Sequence, residues 1–259
     1  MPGPIDTVKA QSEATGRIID SLSDADFAKD SPGCPGWNVG TVVTHLTVGA
    51  RLFAGSAAGD KSVWERREEH VKAVAGATPA EMKRHYADAS REFISTLESL
   101  SPAELQSKTA THPAFGEIPV ARLAGMRVSE ATIHSWDIEA ARNPDAKLEG
   151  PGVQMTLDAI GGGLPMWFLP DQIGGFSRSY RLVAGNFDRR LTVDEGKASW
   201  AEGAGQADVT LTMDPGDLAL LIAGRLSTDK LVSSGRARIE GDPVAARAFS
   251  TLFRAYDGR

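Results

Sequence analysis

Four ionisable residues follow one another at helical spacing near the middle of the chain: Arg127, Glu130, His134 and Asp137. Steps of three, four and three residues put them on consecutive turns of a single helix face. On the helical wheel, Val120, Leu123, Ala124, Ala131, Ile138 and Ala141 occupy an arc of about 100°, the stripe that faces a core, and the four charges fall inside or beside it. A charge placed there is costly unless it is paired or bound to a metal. Glu130 and His134 lie one turn apart, which lets a carboxylate and an imidazole share one divalent ion. Two arrangements satisfy the pattern: an ion-pair network at the edge of a bundle, or a metal centre. The second needs a further ligand. His45 is the candidate, since it shares a face with Val42, Leu46, Gly49 and Phe53 on another predicted helix. A lone histidine on an apolar face is ordinarily a hydrogen-bonded core residue. Two histidines and a carboxylate converging from two helices, however, match catalytic zinc and non-haem iron sites with open positions. Asp137 and Arg127 would then orient the ligands or meet the substrate.

These residues need rigid elements to hold them. Ile5, Val8, Ile18, Ile19 and Leu22 predict a first helix, ending before the polar stretch from Ser23 to Asp30. A Pro/Gly loop through Cys34 and Trp37 leads to Asn38, an N-cap for a second helix running to about Gly55. Thr78-Pro79-Ala80-Glu81 is a capping box with proline at the first helical position, and it opens a third helix continued by Met82, Tyr86, Phe93, Leu97 and Leu100. A fourth helix runs from Pro119 to about Arg142, where Asn143-Pro144 stops it. Four helices joined by loops suggest an antiparallel bundle over residues 1–145. From 150 to 259 the pattern is α+β. Tyr180 to Val183, Arg190 to Val193, Ala198 to Ala201 and Val209 to Met213 read as the strands of a meander, with helices capped at Asp214-Pro215 and Asp242-Pro243.

Composition narrows the function classes. With 28 Lys+Arg against 34 Asp+Glu in 259 residues, the net charge of −6 argues against nucleic acid as a partner. A single cysteine excludes an intramolecular disulfide. No signal-like start and no apolar run of membrane-spanning length is present, so a cytoplasmic protein away from membranes is expected, as a monomer or homodimer.

Two stretches resemble a known family. Cys34-Pro-Gly-Trp37-Asn-Val-Gly-Thr-Val-Val-Thr-His45-Leu46 is similar to the second-helix signature of the mycothiol-dependent maleylpyruvate isomerase family. Phe115-Gly116, followed by Arg127-Val-Ser-Glu130-Ala-Thr-Ile-His134-Ser-Trp136-Asp137, is similar to its second signature. Further on, Ala207-Asp208-Val-Thr-Leu-Thr, Gly224-Arg225-Leu226 and Glu240-Gly241-Asp242 resemble the family's C-terminal domain. The resemblance implies a DinB-like four-helix bundle followed by a smaller sterol-carrier-like α+β domain. It also implies a divalent metal, usually Zn²⁺, held by His45, Glu130 and His134, with mycothiol as thiol cosubstrate. Residues 54–108 carry little of it.

The function expected is a metalloenzyme in which a metal-bound thiolate adds to an activated small-molecule electrophile. It would act as a maleylpyruvate-type cis–trans isomerase or as a thiol S-transferase, since fold and metal do not fix the reaction. Asp137, Arg225 and Arg238 are the candidate catalytic or substrate-holding residues, with Arg236 as another arginine that could grip a carboxylate. Arg127 and Trp136 are candidates to line the thiol site, and Trp136 and Trp167 are equally read as core. Cys34 is read as a loop residue of the motif rather than a nucleophile, His70 and His85 as solvated surface, and His112 as a residue that could line the pocket. Two rival readings are a lipid- or small-molecule-binding protein with structural or no metal, and a metal-dependent hydrolase with Asp137 as general base.

Overall fold

The computed structural model describes residues 3–169, 171, 177–201 and 205–253. The backbone divides into two compact units, Met1–Ala146 with Gly150–Gly152, and Lys147–Glu149 with Val153–Arg259.

The first unit holds helices α1 (Pro4–Asp20), α2 (Val39–Ala58), α3 (Arg67–Lys72), α4 (Pro79–Glu98) and α5 (Pro102–Ser107), a hairpin of β1 (Thr109–His112) and β2 (Gly116–Pro119), and α6 (Val120–Ala140). The four long helices match the sequence reading, and their ends have the chemistry expected. The Asn38 side chain accepts the Thr41 N–H at 2.8 Å to start α2, and Thr78 and Glu81 close a capping box on α4. Gly59, at φ 97°, ends α2 in the left-handed region where only glycine is unstrained. Helix α2 packs against α4 and α6, and α1 against α6 and α4. Ile19, Val42, Val43, Leu46, Tyr86 and Ile138 meet in the resulting core.

Two features depart from the sequence reading. Helix α6 has no solvent face over its functional stretch, because every residue from Arg127 to Ile138 is buried. The segment before it is a two-stranded antiparallel hairpin pairing Ala110 with Ile118 and His112 with Gly116. Its strands are short and polar, with Ala110 and Ile118 as the buried pair, so they lack the alternation that marks a strand.

The second unit begins with α7 (Val153–Gly163), which runs straight through the glycine triplet. It continues with β3 (Arg178–Ala184), β4 (Phe187–Asp194), β5 (Lys197–Ala201), β6 (Val209–Met213), α8 (Pro215–Ile222), α9 (Thr228–Ser233), β7 (Ala237–Gly241) and α10 (Pro243–Ala248). The expected meander holds for β3, β4 and β5 only. The sheet order is β5-β4-β3-β6-β7, and β6 lies parallel to β3 on its other side, with Tyr180 opposite Val209. Alternate residues Tyr180, Leu182, Leu191, Val193, Val209 and Leu211 are fully buried, the period of two that a one-sided sheet requires. Helix α10 stops at Ala248 and passes into a 3-10 turn over Phe249–Thr251.

Candidate metal centre

Helices α2 and α6 bring the predicted ligands together. Glu130 sits between two side chains. Its Oε1 lies 2.9 Å from His45 Nε2, and its Oε2 accepts from Arg127 Nη1 at 2.8 Å. Arg127 also donates through Nη2 to the Leu46 carbonyl at 2.9 Å, so the same guanidinium ties α6 to α2 and fixes one carboxylate oxygen. Burial by itself pushes the Glu130 carboxyl up. The adjacent His45, with Arg127 and His134, outweighs that and holds it at about 2. Room for the carboxylate comes from Gly49, where a Cβ would stand 3.1 Å from Oε2 and 3.3 Å from Oε1.

His134 is oriented from behind. Its Nδ1 is 2.8 Å from Asp137 Oδ2, and an ionised Asp137 makes Nδ1 the donor, so Nε2 is the nitrogen left to ligate. Asp137 Oδ2 also accepts from Cys34 Sγ at 3.3 Å. The two imidazoles stand edge to face with centroids 4.8 Å apart, and Trp37 lies 5.1 Å from His45 and 6.3 Å from His134. Cys34 and Trp37 were not among the site residues read from the sequence. Their only signal was membership of the motif that ends in His45.

Ion pairs of the network kind are therefore present, but they leave one group unexplained. His45 Nε2 is buried and has no aligned hydrogen-bond partner, although Glu130 Oε1 is only 2.9 Å away. A ring nitrogen and a carboxylate oxygen held 2.9 Å apart are also the spacing of two ligands of one ion. His45 and Glu130 thus set a nitrogen and an oxygen donor side by side, with the His134 ring adjoining that of His45. The donor atoms that all lie within 4.8 Å of one another among the described residues are those of Cys34, His134 and Asp137. A thiolate there would face the Asp137 carboxylate at hydrogen-bond distance. The neutral thiol is the form that suits it, holding Asp137 in place.

The remaining candidates fall elsewhere. Trp136 donates from Nε1 to the Ala146 carbonyl at 2.9 Å, which anchors the chain after α6. Arg225, Arg236 and Arg238 belong to the second unit. Arg225 donates to the Ala223 carbonyl at 3.2 Å, and Arg238 is exposed and paired with Glu240. Arg236 does grip a carboxylate, but it is that of its own Asp217, with Nε 3.1 Å from both oxygens. His70 and His85 are half-buried rather than fully solvated. A surface hollow of about 860 Å³ on the second unit is lined by Lys230, Arg238 and Arg247 among others; Arg238 is the one of these three read from the sequence as a candidate to hold substrate, and none was read as a metal ligand.

A helical bundle in which two helices bring His45, Glu130 and His134 close to one another, followed in the chain by an α+β unit, is a bipartite architecture. Residues 8–139 match the family described as the mycothiol maleylpyruvate isomerase N-terminal domain, and the chain belongs to that family. Residues 178–254 match the SCP-2 sterol transfer family. Among solved structures, the fold is similar to that of a mycothiol-dependent maleylpyruvate isomerase, at 14% identity and a TM-score of 0.62, covering 87% of this chain and 93% of that one. A point mutant of a mycothiol-dependent maleylpyruvate isomerase aligns at 15% identity and a TM-score of 0.61, covering 93% and 96%. Comparison with curated proteins finds no match. Among the described residues no helix is long and apolar enough to cross a membrane.

Proposed function

We propose that the protein is a mycothiol-dependent metalloenzyme whose His45, Glu130 and His134 hold a divalent ion, with zinc the best fit to this donor set. The observation that supports the reading is the buried His45 Nε2 set 2.9 Å from Glu130 Oε1, a nitrogen and an oxygen donor close enough to share one ion. When bound, such an ion stabilises the thiolate of a low-molecular-weight thiol near neutral pH. The chain's own residues do the rest. Arg127 fixes Glu130 from one side and Gly49 admits it on the other. Asp137 holds the His134 proton on Nδ1, and Cys34 steadies Asp137. Burial of Cys34, Arg127, Glu130, His134 and Asp137 limits the access of bulk water to these groups. Addition of the thiolate to a cis-enedioyl acid, rotation about the resulting single bond and elimination would give the trans isomer. With an alkylating or epoxide electrophile the addition would end in a stable conjugate.

The test is metal content by mass spectrometry on protein purified without a metal-affinity tag, followed by titration of cobalt-substituted protein with mycothiol. Near-stoichiometric zinc and a saturable change in the cobalt absorption are expected. His45→Ala and His134→Ala should each lose the metal while keeping the helical circular dichroism of the parent. Full metal retention by both variants sinks the ligand assignment. No metal even after reconstitution would leave the charges on α6 as an ion-pair network.

A further inference from the structure

The sheet of the second unit ends on a strand that is open along one side. Strand β7 pairs with β6 and stands at the edge of the order β5-β4-β3-β6-β7. In an antiparallel ladder, successive residues turn their backbone groups alternately toward the partner strand and away from it. The Asp242 N–H donates to the Asp208 carbonyl at 3.1 Å, in step with the register that sets Glu240 opposite Thr210 and Arg238 opposite Thr212. Arg238 and Glu240 therefore turn their N–H and C=O groups to β6, and Ala237, Ile239 and Gly241 turn theirs outward. Among the described residues nothing bonds to those outward groups. They open on the hollow of about 860 Å³ between α9 and α10, whose lining includes Val232, Ile239 and Pro243. Val232 is 38% exposed and Val244, next to Pro243, is 71% exposed, so two of the three large hydrophobic side chains exposed among the described residues flank this edge.

The charges of β7 select what can pair with it. A second β7, turned end for end about Ile239, sets its Glu240 opposite Arg238 and its Arg238 opposite Glu240, and directly opposed unlike charges favour strand pairing. Both side chains are exposed and already paired with each other along the strand, so the four charges would alternate in sign around a square. The same register brings the outward groups into phase. Ile239 meets Ile239 and exchanges both hydrogen bonds with it, and Ala237 faces Gly241 on either side. Centring the pair on Arg238 or Glu240 instead would oppose like charges and present backbone groups already turned to β6. The other edge strand has no such register, since β5 centred on Ser199 would set Lys197 opposite Ala201.

We propose that the occupant of this edge is a second copy of the chain, two β7 strands joining their sheets about a two-fold axis through Ile239. The interface is isologous, each copy giving Arg238 and Glu240 to the other. Its self-complementary charge pattern is what distinguishes a second copy from other extended segments that add to a sheet edge. The strand contact is only five residues long on each side. A contact of that size gives a weak dimer, with Kd of roughly 1–100 µM. The proposal does not depend on the metal reading of the first unit.

The experiment is sedimentation velocity on the full-length protein from about 1 to about 200 µM, a range that brackets such a dimer. A concentration-dependent shift from monomer to dimer is expected. Arg238→Glu alone, or Glu240→Arg alone, makes all four facing charges alike and should raise Kd at least about tenfold. Mixing these two variants opposes unlike charges again, so the mixture should associate nearly as well as the parent, as should the double variant Arg238→Glu/Glu240→Arg. A strand that had merely been destabilised would not be rescued by mixing. Ile239→Pro removes an outward N–H and no bond to β6, so it should abolish the dimer while the circular dichroism stays that of the parent. A parent that is monomeric throughout, a dimer indifferent to the single charge reversals, or a mixture that associates no better than its components overturns the proposal.

Discussion

Gly49 sets how closely the Glu130 carboxylate can approach α2. A Cβ at 3.1 Å from Oε2 is tighter than ordinary contact, and Arg127 Nη1, 3.5 Å from the same point, blocks the obvious escape. Gly49→Ala should therefore move the carboxylate and lower metal affinity by roughly 10- to 100-fold, as loss of ligand support generally does. Competition with a chelator measures this, and an affinity equal to the parent's would remove Glu130 from the ligand set. Cys34 gives the opposite expectation. Serine can still donate to Asp137 Oδ2, so Cys34→Ser should retain most activity; a dead Cys34→Ser with normal metal content would move the nucleophile onto the protein. At this scale the sequence disclosed part of the proposed site. The spacing of Arg127, Glu130, His134 and Asp137 survives in the fold because one helix carries all four, and His45 was recoverable from its place on an apolar face. Gly49, Trp37 and Cys34 were not, since what matters in each is an approach between segments far apart in the chain.

Helix α6 shows why the wheel argument was right about the charges and wrong about the helix. An apolar arc of about 100° implies an opposite face in water, yet Thr132, Ser129 and Ser135 are as buried as Ile133. Part of the cause is Gly152, which closes on that face. Its N–H donates to Gln11 Oε1 at 3.0 Å, and a Cβ there would lie 2.2 Å from Thr132 Oγ1. Gly152→Ala should cost about 1–3 kcal/mol, the usual scale of overpacking, and lower Tm by several degrees in a thermal melt. An unchanged Tm would mean the loop yields freely. The hairpin makes a separate prediction at this scale. Burial favours neutral His112, so its folded pKa lies below the ordinary 6.5 while the unfolded chain titrates at that value. The unfolded state then binds more protons between the two values. The contribution of His112 to stability is full above about pH 6.5 and falls as pH drops through that window. NMR titration of the His112 ring should show the depressed value, and His112→Phe should flatten the loss of stability below pH 6.5. A ring titrating above 6.5 would contradict the assignment. The hairpin escaped sequence reading because its strands are short and polar, whereas α2 and α4 were legible from their caps.

The two units differ in how much the sequence disclosed and in what each supplies. Alternating burial made β3, β4 and β6 readable as strands, but the parallel pairing of β6 with β3 depends on where the chain returns to the sheet, which no local pattern encodes. The arginines of the second unit show the same limit: sequence could not distinguish Arg236, committed to Asp217, from Arg225 or Arg238. All three proposed metal ligands come from α2 and α6 of the first unit, and this has a consequence for the whole chain. An ion that binds only the folded arrangement of His45, Glu130 and His134 stabilises it by mass action, about 2.7 kcal/mol at a free-metal concentration 100 times Kd. For a protein of this size that corresponds to a rise in Tm of roughly 5–10 °C for the transition that unfolds the bundle. Zinc added to chelator-treated full-length protein should produce that rise in the parent, in Arg225→Ala and in Arg238→Ala, and none in His134→Ala. Loss of the zinc effect in the Arg225 or Arg238 variants would place a ligand or its support in the second unit. A parent that gains nothing from zinc would mean that the imidazoles and Glu130 are already satisfied by one another, and the bundle would then be stable as an ion-pair network alone.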